Sequence, residues 1–127
     1  MSSPYQDLRV WQLAMQLAGL IYTGSDKFPD RERFGLISQI RRAAVSVASN
    51  IAEGKGHRSD REFLHFLYHA RGSLFEVETQ LLLAKQLNYI SEKDTSEIQQ
   101  TITATARSLT GLINALADEP AVVQARN

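Results

Sequence analysis

The sequence predicts an all-α protein, an antiparallel up-down-up-down four-helix bundle. Three observations predict it. Apolar residues recur at alternating steps of three and four, the spacing that lines one face of a helix. The prolines, Pro4, Pro29 and Pro120, bracket those stretches and interrupt none of them. No stretch sustains the period-two alternation of a half-buried strand. Four long helices with short connections close most simply as an up-down bundle.

The first helix is expected from about Asp7 to Ser25, with Leu8, Trp11, Met15, Ala18, Ile21 and Tyr22 on its inner face. Phe28-Pro29-Asp30 makes the turn. The second helix runs from about Arg31 to Glu53 on a seam of Ile37, Ile40, Ala44, Val47 and Ile51. Gly54 follows where a left-handed C-terminal cap is wanted. Ser59-Asp60-Arg61-Glu62 fits a capping box and opens the third helix. Its seam is Phe63, Leu67, Ala70, Leu74, Val77, Leu81 and Ala84, and Asn88 closes it. Ser91 opens the fourth helix, whose seam is Ile98, Ile102, Thr105, Leu109, Leu112 and Leu116. The bundle domain is therefore residues 1–118, and residues 119–127 form a disordered tail.

Composition narrows the function classes. With no cysteine among 127 residues, disulfides and thiolate metal sites are excluded. The N-terminus lacks a signal-peptide layout and no apolar run approaches membrane-spanning length, so a cytoplasmic protein without membrane association is expected. Net charge is zero, but it is unevenly spread. Eight basic and four acidic residues give Arg31–Arg71 a net +4, whereas three basic and seven acidic residues give Gly72–Glu119 a net −4. Such asymmetry suits either head-to-tail self-association or an anionic partner at the basic half.

Catalytic motifs find no support. Glu62 and His65 make one Glu-x-x-His pair, but a di-iron bundle needs two, and the chain has only three histidines. His65 and His69 are four apart on one face, yet Phe66 stands where a zinc protease places its general-base glutamate. No nucleophile elbow surrounds any serine. No enzyme, cofactor or metal site is assigned.

Two sets of polar residues remain. Lys55, His57, Arg58 and Arg61 around the glycine-rich turn, with Arg41 and Arg42, are the candidate contacts to RNA or another anionic partner, since a helix N-terminus favours negative charge. Asn50, Glu53, Arg71 and Glu78, with Arg42, are the candidate members of a hydrogen-bonded network that fixes helix register. Beyond its core seam the third helix also carries Leu64, Phe66, Tyr68, Phe75 and Leu82, a second partial stripe that suggests a covered external contact. The small residues Ala43, Ala44, Ser46, Ala48, Ser49 and Ala52 of the second helix allow close approach to a neighbour, inside the bundle or outside it.

Several of these residues, taken in order, also carry a resemblance. Asp7-Leu8-x-Val10-Trp11, Phe28-Pro29, Glu32-Arg33-Phe34-Gly35-Leu36, Ser38-Gln39-Ile40-Arg41-Arg42-Ala43, Ser49-Asn50-Ile51-Ala52-Glu53-Gly54 and Ala70-Arg71-Gly72-Ser73-Leu74 resemble the four-helix bundle family that includes the 23S rRNA intervening-sequence proteins. The likeness spans about residues 5–118. It implies an antiparallel bundle assembled into a ring, commonly a pentamer, without enzymatic activity. It also implies kinship with the basic accessory variability proteins of diversity-generating retroelements, which associate with reverse transcriptase and RNA. This chain departs from those by its neutral total charge, which leaves fewer phosphate contacts per subunit. The expected function is a non-enzymatic homo-oligomer associating with RNA or a ribonucleoprotein. A homo-oligomeric scaffold for a protein partner is the alternative, and a metal or small-ligand bundle around His65 and His69 is a third.

Overall fold

The structure, a computed structural model, describes residues 5–117. The tail expected over residues 119–127 lies outside them. Four helices follow one another: α1 (Arg9–Ser25), α2 (Leu36–Lys55), α3 (Asp60–Gln86) and α4 (Glu92–Ala117), with a short 3-10 turn at Asp30–Glu32. Helix α1 packs on α2 and α4, and α3 packs on α2 and α4, so the four close a square around one core. That is the all-α four-helix bundle the periodicity predicts.

Helix α3 is the element that follows its sequence most closely. All seven residues of its predicted seam are buried. Its N-terminus is capped by Ser59, whose Oγ accepts from the Glu62 N–H at 3.1 Å. At the other end Asn88 adopts a left-handed conformation with φ 62°. There the Tyr89 N–H reaches the Ala84 carbonyl at 2.9 Å and the Asn88 N–H reaches that of Lys85 at 3.0 Å, a Schellman closure.

Three expectations need correction. The inner face of α1 is Val10, Leu13, Ala14, Leu17 and Ile21, whereas Met15 is 48% exposed and Tyr22 45% exposed. Helix α2 begins at Leu36, not near Arg31. Gly35 takes a non-helical conformation that breaks the run, and Glu32 Oε1 folds back to accept the Leu36 N–H at 3.0 Å. Finally, Gly54 is no left-handed cap: α2 continues through Lys55, and no glycine among the described residues has positive φ. Gly54 is buried where α2 meets α3, the most extensive helix contact in the bundle.

Buried polar groups in α4 are satisfied within the helix. Thr105 is fully buried and its Oγ1 donates to the Thr101 carbonyl at 2.7 Å. The end of the bundle that holds the α1–α2 and α3–α4 connections is sealed by Phe28 against Tyr89, by the Tyr89 hydroxyl donating to Glu32 Oε2 at 2.9 Å, and by Lys27 paired with Asp94 at 2.7 Å.

These contacts give the fold a pH dependence. The Leu36 amide, then the Tyr89 hydroxyl, hold the Glu32 carboxyl below its ordinary range, and the hydrogen bond from Lys27 does the same for Asp94. A carboxyl with a depressed folded-state pKa contributes stability above its unfolded pKa and loses it as pH falls through the folded value. Thermal melts should therefore hold near neutrality and drop on acidification through the carboxylate range. A Glu32→Gln chain should melt lower than the wild type at neutral pH and converge with it in acid. Parallel pH profiles would remove Glu32 from this account.

Candidate functional site

The six residues singled out in the sequence as contacts to an anionic partner do not form one surface. Arg41 is consumed by the fold. Its Nε donates to Ser25 Oγ at 2.8 Å, and its Nη2 donates to the Tyr22 carbonyl at 3.1 Å and pairs with Asp26 Oδ1 at 2.8 Å. Its guanidinium also lies 4.7 Å from the centre of the Tyr22 ring. Arg41 thus fastens the C-terminus of α1 to α2, where a cation complements the helix dipole. Arg41 is therefore the one of the six whose guanidinium is already engaged by the fold. Only a planar, multi-donor head makes all these contacts at once. Arg41→Lys should cost about 1–2 kcal/mol in urea denaturation; an unchanged midpoint would show that the fork is not needed.

Arg42 is exposed, and its guanidinium donates to Ser38 Oγ at 3.4 Å. At 1.5 Å of rise per residue it lies about 20 Å along α2 from Lys55, so it belongs to a different part of the surface. The remaining four residues do share the α2–α3 turn. Lys55 Nζ sits 5.6 Å over the Phe63 ring. His57 Nδ1 and Glu62 Oε2 are 2.9 Å apart, and the His57 ring stacks on Phe66 at 4.9 Å. Arg58 and Arg61 are exposed. Among the described residues no ion pair engages Arg42, Arg58 or Arg61. The turn is therefore a modest basic surface built on Lys55, Arg58 and Arg61, with two carboxylates, Asp60 and Glu62, beside them.

The proposed register network is not assembled within the chain. Asn50 donates to the Ser46 carbonyl at 2.8 Å and to Ser46 Oγ at 3.0 Å, and Ser46 Oγ meets Ser73 Oγ at 2.8 Å. Glu53 is exposed. Arg71 is exposed and lies 5.0 Å from the Tyr68 ring centre. Glu78 accepts from Gln99 Nε2 at 2.7 Å. The polar contact between α2 and α3 thus runs through Ser46 and Ser73, which in the sequence look like no more than small residues. Most of the small residues of α2 are spent inside the bundle as well: Ala43, Ala44 and Ala48 are buried.

What α3 leaves outside is more organised. Tyr68, Phe75 and Leu82 are 45%, 57% and 50% exposed and recur every seven residues, one position after the buried Leu67, Leu74 and Leu81. The rotation of about 100° per residue turns this stripe away from the core. It borders two shallow grooves between α3 and α4, of about 480 and 500 Å³. Phe75, Ala106 and Gly111 line one, and Leu82 and Ala104 the other. Arg71 and Glu78 fall on the same stripe, on either side of Phe75. This surface and the basic turn are two features that the fold itself leaves unexplained.

The comparisons with known proteins follow the same lines. A family model described as 23S rRNA-intervening sequence protein matches residues 6–111. No curated protein matches the chain. Among solved structures, a protein of unknown function from the S23 ribosomal protein family of Bacteroides thetaiotaomicron VPI-5482 is similar at 24% identity, with a TM-score of 0.74. The match covers 82% of this chain and 97% of that one. At that identity the likeness speaks for the fold alone.

Proposed function

The chain belongs to the 23S rRNA-intervening sequence protein family, and from that premise we propose that it is a non-enzymatic, self-assembling bundle that associates with RNA or a ribonucleoprotein. The observation that carries the reading is the division of labour on α3. The first turn of that helix, with the connection before it and the last residue of α2, presents Lys55, Arg58 and Arg61, while its middle presents the exposed Tyr68–Phe75–Leu82 stripe. A single neutral chain can neutralise few phosphates, and its affinity for RNA is correspondingly small. Assembly through the stripe multiplies the basic turns on one object, so local field outweighs net charge. The pentameric ring is the assembly we expect.

The test is a titration of a structured RNA hairpin at two salt concentrations. Binding should weaken with added salt, and the dependence should flatten in an Arg58→Glu/Arg61→Glu chain of unchanged mass. The log–log slope should fall by roughly 0.7–0.9 for every phosphate that the variant no longer neutralises. No salt-dependent binding near physiological ionic strength would rule the RNA reading out. That outcome favours the second reading, a homo-oligomeric scaffold for a protein partner. Two observations speak for it: Arg41 is committed to the fold, and Glu62 occupies the basic turn.

A further inference from the structure

The outer side of α3 carries one arrangement that neither assembly nor RNA association uses. His65 and His69, one helical turn apart, are both exposed, on the side of α3 opposite the buried Leu67 and Leu74. Their Nε2 atoms converge to 3.2 Å, with the rings 4.6 Å apart and nearly perpendicular at 79°. The approach is a hydrogen bond between the rings, one Nε2 carrying the proton and the other accepting it, and an imidazole-binding ion would take the place of that shared proton. We propose that His65 and His69 form a chelating site for a divalent transition-metal ion that takes imidazole nitrogen, with Zn²⁺, Ni²⁺ and Cu²⁺ as its class.

The geometry fits the ion. Metal–imidazole bonds run to roughly 2.0–2.1 Å, and two nitrogens 3.2 Å apart then subtend about 100° at the metal, close to a tetrahedral angle. The nitrogens are already preorganised by the helix, because residues four apart lie on one face and a rigid α3 holds their backbones. Both atoms that converge are Nε2, which leaves each Nδ1 free to take an outer hydrogen-bond partner. The next turn outward is Gly72, where even a Cβ would meet nothing within 4 Å, so the remaining coordination positions stay open to solvent. Glu62, one turn before His65, is held by Ser59 and His57 at 3.1 and 2.9 Å. Among the described residues no cluster of three or more histidine and carboxylate side chains forms. The site is thus a two-histidine clip with open positions, suited to reversible capture and not to a closed structural centre.

The experiment uses the full chain without an affinity tag, titrated calorimetrically with ZnCl₂ and separately with NiCl₂. We expect one ion per chain, at least tenfold weaker binding in both His65→Ala and His69→Ala, and no change in His57→Ala. Both substitutions fall at exposed positions, so circular dichroism should confirm an unchanged fold, and added Zn²⁺ should raise the melting temperature of the wild type but not of either variant. With Co²⁺ as a spectroscopic probe, ligand-field bands should appear in the wild type and vanish in both variants. Equal metal uptake by the wild type and by His65→Ala, or no uptake by the wild type at submillimolar metal, would overturn the assignment. RNA binding and assembly mass are read separately, so the failure of either leaves this outcome unaffected.

Discussion

Gly54→Val should destabilise the bundle by at least about 3 kcal/mol, a large share of the roughly 5–15 kcal/mol that a domain of this kind possesses. A Cβ at Gly54 would stand 2.6 Å from Phe66 Cβ and 3.0 Å from Phe63 Cδ1. Phe66 Cβ is attached to the α3 backbone, so it cannot rotate out of the way. Phe63 is only 6% exposed and is packed into the core. The valine can be accommodated only if α2 and α3 separate, along the contact that holds them most extensively. Gly54→Ala meets the same first atom, and its gain in helix propensity, about 1 kcal/mol, does not offset the clash. Gly72→Ala is the matched control. It lies in the interior of α3 with nothing within 4 Å of the new Cβ, and should stabilise by about 0.5–1 kcal/mol. Denaturant unfolding of the three chains checks the series. Wild-type behaviour of Gly54→Val would mean the helices do not approach so closely.

Gly54 also shows what one sequence can and cannot reveal. A glycine at the end of a periodic stretch reads as a helix cap, because only local conformation is visible there. Its actual role depends on Phe63 and Phe66, and nothing in the residues around Gly54 announces that α3 crosses at that point. The same limit explains the polar residues: Ser46 and Ser73 meet at 2.8 Å although they are 27 residues apart, and each looks ordinary in its own helix. Helix α3, by contrast, is legible from cap to cap. Its buried apolar residues fall on one seam, and Ser59 and Asn88 mark its ends. Helix α1 misleads for the opposite reason. Leu8, Val10, Trp11, Leu13, Ala14, Met15, Leu17, Ala18, Leu20 and Ile21 place apolar groups around most of its circumference, so periodicity permits more than one phase. The start of α2 depends on Glu32 bending back over Gly35, where any Cβ would meet the carboxylate at 2.7 Å. Of the candidate site, the basic turn and the second stripe of α3 are readable because each is local to one segment. The commitment of Arg41 to Tyr22, Ser25 and Asp26 is not, since it joins two helices.

Replacing Phe75 and Leu82 together by glutamate should reduce the proposed assembly to single chains of 14.2 kDa while leaving each chain folded. Both positions are at least half exposed, at 57% and 50%, so a carboxylate there is solvated in the isolated bundle. Surface substitutions of this kind usually shift stability by no more than about 0.5 kcal/mol. At a subunit contact the consequence differs. Each glutamate removes apolar area, worth about 25 cal/mol per Å² buried, and places an unpaired charge where water is excluded. Arg71 and Glu78 make the contrast sharper. Arg71 enters no ion pair among the described residues and Glu78 is held only by Gln99, and on the stripe they flank Phe75 one turn to either side, where a polar rim is expected around an apolar centre. Adding two carboxylates beside Glu78 upsets that balance with like charge, and in a closed ring the penalty repeats at every contact. Light scattering on the wild type and on Phe75→Glu/Leu82→Glu, with circular dichroism as the check on folding, reads the difference directly. A wild type that already scatters as one chain would overturn the proposed assembly, and a double variant that keeps the wild-type mass would place the assembly surface elsewhere on the bundle.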